Sequence, residues 1–181
     1  MATTHRRLCK SLKQLENKGY QFEAAEASFE LLVKKMTGPW EEYFSLEGLR
    51  VIVEKNVSGE ARSEATIRLK VGDQIEHCAA EGNGPVHALD GAMRKALHKF
   101  FPEVDDMHLQ DYKVRVLNEK DGTGAKVRVL IDSGETGDSW GTVGVSENII
   151  EASWQALSDS FSYFLMKQNQ ELLDTQTNKA S

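Results

Sequence analysis

The sequence predicts an α+β fold: a helical hairpin followed by two βββα units, with antiparallel strands and helices packed on them. Three observations carry this expectation. Apolar residues recur at spacings of three and four over the first forty positions, then alternate strictly from about Tyr43. The order strand, strand, strand, helix then appears twice, offset by about sixty residues, as a repeat of pattern with little identity.

Residues 5–17 place Leu8, Leu12 and Leu15 on one helical face, and Gly19 interrupts. A second helix is predicted after Tyr20-Gln21, with Phe22, Ala25, Glu26, Phe29, Leu32, Val33 and Met36 at helical spacing. Gly38-Pro39 ends it, glycine at the C-terminal cap and proline just beyond. So small a hairpin has too few apolar residues to stand alone and must pack on something.

The first strand sets Leu49, Val51 and Val53 against Arg50, Ile52 and Glu54, and Ser58-Gly59 turns the chain. Ala65, Ile67, Leu69 and Val71 alternate with Glu64, Thr66, Arg68 and Lys70, as in a sheet with one buried and one wet face. Gly72-Asp73 reads as a two-residue hairpin turn. Ile75, His77 and Ala79 carry the third strand to the Gly82-Asn83-Gly84-Pro85 corner, where two glycines permit positive φ. Pro85 suits the first helical position, and Val86, Leu89, Met93, Ala96, Leu97 and Phe100 form the apolar face of a helix that stops before Pro102.

In the second unit Tyr112, Val114 and Val116 alternate, Asp121-Gly122-Thr123-Gly124 turns, Val127, Val129 and Ile131 alternate, and Ser133 to Gly137 turns again. Trp140, Thr142 and Gly144 lead to Ser146, the expected N-cap of the last helix. The stripe Ile150, Trp154, Leu157, Phe161, Phe164 and Leu165 is wider than a lone sheet face covers, which points to a homodimer. The expected division is a helical linker at 1–40, a βββα pair at 41–170 and a flexible polar tail at 171–181.

At 181 residues the chain can bury a real core. Its net charge of −6 argues against nucleic-acid and anionic-membrane surfaces, which need clustered Lys and Arg. A double-stranded RNA module would want basic helix starts, yet these carry Asp90, Glu147 and Glu151. No apolar run approaches the roughly 20 residues of a membrane span. Cys9 and Cys78, far apart, suggest neither a disulfide framework nor a zinc site, so the expected compartment is the cytoplasm.

No catalytic constellation stands out. The histidines at 5, 77, 87, 98 and 108 lack partners at metal-ligand spacing, and Ser133-Gly134-Glu135 is followed by no helix, as a nucleophile elbow would require. His77 and Cys78 fall on opposite faces of one strand. His87 and Asp90, three apart on a helix, can orient an imidazole but equally suit a solvated face. The 82–85 corner lacks the Gly-Lys-Ser/Thr of a Walker loop and the third glycine of a dinucleotide fingerprint. Its remaining readings are an anion or carboxylate site at a helix start or a purely structural turn; the second helix start, with Gly141, Gly144, Ser146 and Asn148, is its counterpart.

Three motifs in order resemble one family over nearly the whole chain. Residues 19–32, GYQFEAAEASFELL, resemble a signature segment of the citramalate synthase branch of the 2-isopropylmalate synthase and homocitrate synthase family. Gly82-Asn83-Gly84-Pro85-Val86-His87-Ala88 and residues 146–153, SENIIEAS, resemble the two helix-start motifs of its C-terminal regulatory domain. The resemblance implies a LeuA-type dimerisation and allosteric domain with its linker helices, itself without catalysis, metal or cofactor. It implies a longer enzyme whose TIM barrel condenses acetyl-CoA with a 2-oxo acid (pyruvate in the citramalate branch) using a divalent metal. It further implies a homodimer that binds an end-product amino acid near the subunit interface, isoleucine in the citramalate branch and leucine in the isopropylmalate one. The effector residues expected on that basis are Asn83, Gly84, Pro85, Val86, Ala88, Leu89, Ala92, Met93, Tyr112, Val114 and Asp132. The helix start would take the carboxylate, Asp132 or Asp138 the ammonium, and the apolar residues the branched side chain. His87 stands where the family pattern leads one to expect a small or acidic residue.

Overall fold

A computed structural model describes residues 2–55, 57, 59–117, 122 and 124–179. Helices α1 (Ala2–Lys18) and α2 (Glu26–Thr37) form the hairpin. Strands β1 (Ser45–Lys55), β2 (Ala61–Val71) and β3 (Gln74–Gly82) precede α3 (Pro85–His98). A short 3-10 helix, Pro102–Asp106, leads to β4 (His108–Val116), β5 (Val127–Glu135), β6 (Asp138–Ser146) and α4 (Ile149–Lys179). The strands form two separate antiparallel sheets in the orders β1-β2-β3 and β4-β5-β6. Among the described residues no helix is long and apolar enough to cross a membrane.

The repeat anticipated from the alternation extends to backbone irregularities. β1 carries an extra residue at Glu47, between pairs Leu46↔Leu69 and Gly48↔Arg68, and β4 carries one at Gln110, between Leu109↔Ser133 and Asp111↔Asp132. Each later hairpin closes on two residues, Gly72-Asp73 and Thr136-Gly137. In both units the helix lies across the middle and last strands, leaving the first strand least covered.

Several details differ from the sequence expectation. Helix α2 begins at Glu26, because residues 22–25 close a turn through Ala25 N–H to the Phe22 carbonyl, 3.0 Å. The inward face of β3 carries Cys78 and Ala80 while Ile75 is exposed, since pairing with β2 fixes the pleat. Val114 and Val116 alternate as expected but stay exposed at the margin that α4 leaves bare. The 82–85 corner uses no positive φ. Gly84 is extended, and Gly82 is required by close approach, since a Cβ there would lie 2.4 Å from the Ala88 nitrogen. The N-cap of α4 is Asn148, whose Oδ1 accepts from Ile150 N–H at 2.8 Å, while Ser146 Oγ accepts from Asn148 N–H. The last helix runs on to Lys179, past the polar boundary near residue 170. Ser58, Asp121 and Thr123 of the expected turns, and Ala180 and Ser181 of the tail, lie outside the described residues.

The broad aromatic stripe of α4 is buried within its own chain. Phe161 and Phe164 are fully enclosed; Trp140 stacks on Phe164, and Phe44 meets the edge of Trp154. One core therefore unites both units through Ala65, Ile67, Leu69, Leu89, Met93, Val129, Ile131 and Leu157. A second, smaller cluster lies on the outer face of the β4-β5-β6 sheet, where Ala25, Tyr20 and Phe22 cover Val143, Val145 and Leu130. β6 is thus buried on both faces.

Candidate functional site

A cleft of about 520 Å³ opens between α3 and β4, lined by Val86, His87, Asp90, Arg94, His108, Leu109 and Tyr112. Helical spacing explains one wall. The face of α3 carrying Ala88, Leu89, Ala92 and Met93 is consumed by the core, so positions 86, 87, 90 and 94 are turned toward β4. The bulge at Gln110 shapes the other wall, resetting the pleat between Leu109 and Asp111.

Arg94 organises the base of the cleft. Its guanidinium donates to the carbonyls of Val104 and Met107, both at 2.6 Å, and to the Asp90 carboxylate four residues back, at 3.2 and 3.4 Å. The same guanidinium lies 5.2 Å from the centre of the Phe161 ring on α4. Tyr112 forms the other link to that helix, its hydroxyl 3.0 Å from Ser153 Oγ. Ser153 in turn donates to the Ile149 carbonyl. Both walls of the cleft therefore touch α4, which belongs to the second unit.

The two helix starts are unequal. At α4 the Asn148 side chain satisfies the first N–H groups, whereas α3 has no side-chain cap. Instead the Asn83 N–H donates forward to His87 Nδ1 at 3.2 Å, so the imidazole braces the corner rather than pairing with Asp90.

Of the residues expected at a site, Val86 and Tyr112 meet in the cleft; Gly84 and Pro85 open α3 just before Val86 without lining it, and Asn83 lines a separate pocket beside Ala61, Arg62 and Glu81. Ala88, Leu89, Ala92 and Met93 are wholly buried in the core. Val114 lies further along β4 and is exposed. Asp132 projects from the outer face of β5, 3.6 Å from Lys113, and Asp138 pairs with Lys167, whose hydrogen bond draws its carboxyl below the ordinary range. The sequence reading missed Arg94, His108 and Leu109 as cleft residues. The Asp90/Arg94 spacing of four was the only available signal, because the placement of His108 and Leu109 depends on where the 3-10 helix delivers β4.

Two βββα units sharing a core, a cleft between them and a helical hairpin bound at one edge define the class. By residues 23–165 the chain belongs to the family described as the LeuA allosteric (dimerisation) domain. Its relatives sharpen this. It is 57% identical over 161 residues to the (R)-citramalate synthase of Geobacter sulfurreducens, a match covering 88% of this chain and 30% of that protein. The (R)-citramalate synthase of Aquifex aeolicus is 53% identical, over 92% of this chain and 32% of its own length. The 2-isopropylmalate synthase of Shewanella amazonensis is 33% identical over 59% of this chain and 19% of its own length. The chain thus spans about a third of the length of these two citramalate synthases.

Proposed function

We propose that this chain is the feedback-inhibition domain of a citramalate synthase and that the α3–β4 cleft holds a branched-chain amino acid, isoleucine in preference to leucine. The observation that carries this reading is the cleft itself, which pairs an apolar wall with an uncapped helix start and a carboxylate. The uncapped start of α3, with its positive end of the helix dipole, suits the effector carboxylate, Asp90 the ammonium, and Val86, Leu109 and Tyr112 the branched side chain. Discrimination between isoleucine and leucine by pocket shape is worth about 1–3 kcal/mol, enough for feedback control. The full-length enzyme would condense acetyl-CoA with pyruvate, and this domain would pair with a second copy of itself in the cytoplasm.

Similarity to citramalate synthases at 53–57% identity, against 33% for the isopropylmalate enzyme, favours isoleucine over leucine. Titration calorimetry of this chain with isoleucine, leucine and valine is the test, with isoleucine expected to bind tightest. A larger affinity for leucine would move the assignment to the isopropylmalate branch. Heat from none of the three, alongside a dimer in sedimentation, would leave a domain that only holds two copies together.

A further inference from the structure

β6 is an edge strand, and the N–H groups on its free edge are satisfied by side chains. Gly141 N–H donates to Glu26 Oε1 at 2.9 Å, Val143 N–H to Ser28 Oγ at 3.1 Å, and Val145 N–H to Gln155 Oε1 at 3.0 Å. Alternate residues of one strand point their N–H groups the same way, so these three form a row, and a row of unpaired edge donors is what sheet proteins ordinarily pair or cover. Here α2 and α4 fill the row one side chain at a time. The Ser28 hydroxyl in turn donates a hydrogen bond to Asp159 Oδ2 at 2.7 Å, and the Tyr20 hydroxyl donates to the same Gln155 oxygen at 2.9 Å.

Three features distinguish this contact from ordinary core packing. The apolar cluster beneath it, Ala25 with Val143 and Val145, is separate from the main core, to which α2 adds Ala27, and Leu31 of α2 is also wholly buried. The bonds run from edge N–H groups to side-chain acceptors, so water can replace them without breaking any strand pairing. Closure also desolvates the Asp159 carboxylate, and burial pushes its pKa up, opposed by Lys35 at 3.6 Å and by the Ser28 hydrogen bond. The Ser28 and Lys35 contacts of α2 thus oppose the burial of the Asp159 carboxylate at this joint.

We infer that the stretch from Tyr20 through α2 is a detachable latch on the free edge of β6, one that opens as a unit while both βββα units stay folded. The joint lies beside α4, the helix that touches both walls of the cleft through Phe161 and Ser153. The inference stands on the edge contacts and does not require any ligand in that cleft.

Hydrogen exchange on the whole chain, read by amide-resolved NMR, tests it. In the wild type the Gly141 and Val143 amides, held by α2, are expected to exchange with one common rate, faster than the Val129 and Ile131 amides of β5. Ser28→Ala removes two hydrogen bonds of the contact and is expected to speed Gly141 and Val143 together by at least roughly tenfold, and to leave Val129 and Ile131 unchanged. Glu26→Gln keeps the acceptor and is expected to leave the Gly141 and Val143 rates near wild type. If Ser28→Ala accelerates Val143 alone, the contact is a local bond and no latch exists. If the β5 amides accelerate in step with β6, the segment belongs to the global folding unit and the inference fails.

Discussion

The two βββα units share a backbone and differ in what they do with it. Ala80 on β3 and Gly144 on β6 occupy equivalent places, as do Gly91 on α3 and Gln155 on α4. In the first unit the helix supplies the small residue: a Cβ on Gly91 would meet that of Ala80 at 3.3 Å. In the second the strand supplies it: a Cβ on Gly144 would fall 1.9 Å from the Ala152 carbonyl oxygen. The exchange frees position 155 for a long polar side chain, and Gln155 uses it to bond Tyr20 and the β6 edge. A similar divergence occurs deeper. Where the first unit has Leu69 and Ala96, the second has Ser133 and Ser160. There Ser160 donates to Ser133 at 2.7 Å and accepts from the Trp140 indole N–H at 3.1 Å. One scaffold thus makes an apolar unit with an open cleft and a polar-centred unit that receives the linker hairpin.

The sharpest way to break the comparison is at the helix-strand contacts. Gly144→Ala forces α4 away from β6 and is expected to destabilise by about 3 kcal/mol, read as a fall in the denaturant midpoint. Next in size is Ser160→Ala, which gives the second unit the residue of the first. It leaves the buried Trp140 N–H without its acceptor and should cost about 2 kcal/mol, whereas a loss near zero would mean that the polar centre is decorative.

Asp159→Asn addresses the linker contact with a smaller effect. Burial raises the folded-state pKa of Asp159 above its unfolded value, so its favourable contribution is fully present below the unfolded value. That contribution is lost as pH rises through the folded value. The variant is therefore expected to melt above wild type at pH 7, with the gain shrinking toward pH 3. A wild-type advantage at neutral pH would show that the Lys35 pairing outweighs desolvation. The smallest change is Gly91→Ala, expected within about 1 kcal/mol. The helix propensity gained, about 1 kcal/mol, is set against a contact that must give by a few tenths of an ångström. A loss as large as that at Gly144 would remove the asymmetry between the units.

Much of the fold was legible because it rests on local periodicity. Ile67 and Leu69 on β2, and Val129 and Ile131 on β5, alternate and are buried where alternation puts them. β3 and β4 were read less well, since Ile75, Val114 and Val116 are apolar by sequence yet exposed. The helix-start motif falls where α3 begins. The same apolar face that marked it, however, went to the core, so Leu89, Ala92 and Met93 are sealed from the cleft while Arg94 forms its base.

The sequence by itself determined the order of elements, the doubled unit, the two-residue Gly72-Asp73 turn and the family, because each is written in neighbouring residues. Only the tertiary structure decided which faces pair across the units. It brought Arg94 to Phe161 and Tyr112 to Ser153, covered the aromatic stripe of α4 with its own chain, and set Glu26 and Ser28 on the edge of β6. Those contacts join residues far apart along the chain. Their partners are fixed by how helices and sheets close over one shared core, which no local period encodes.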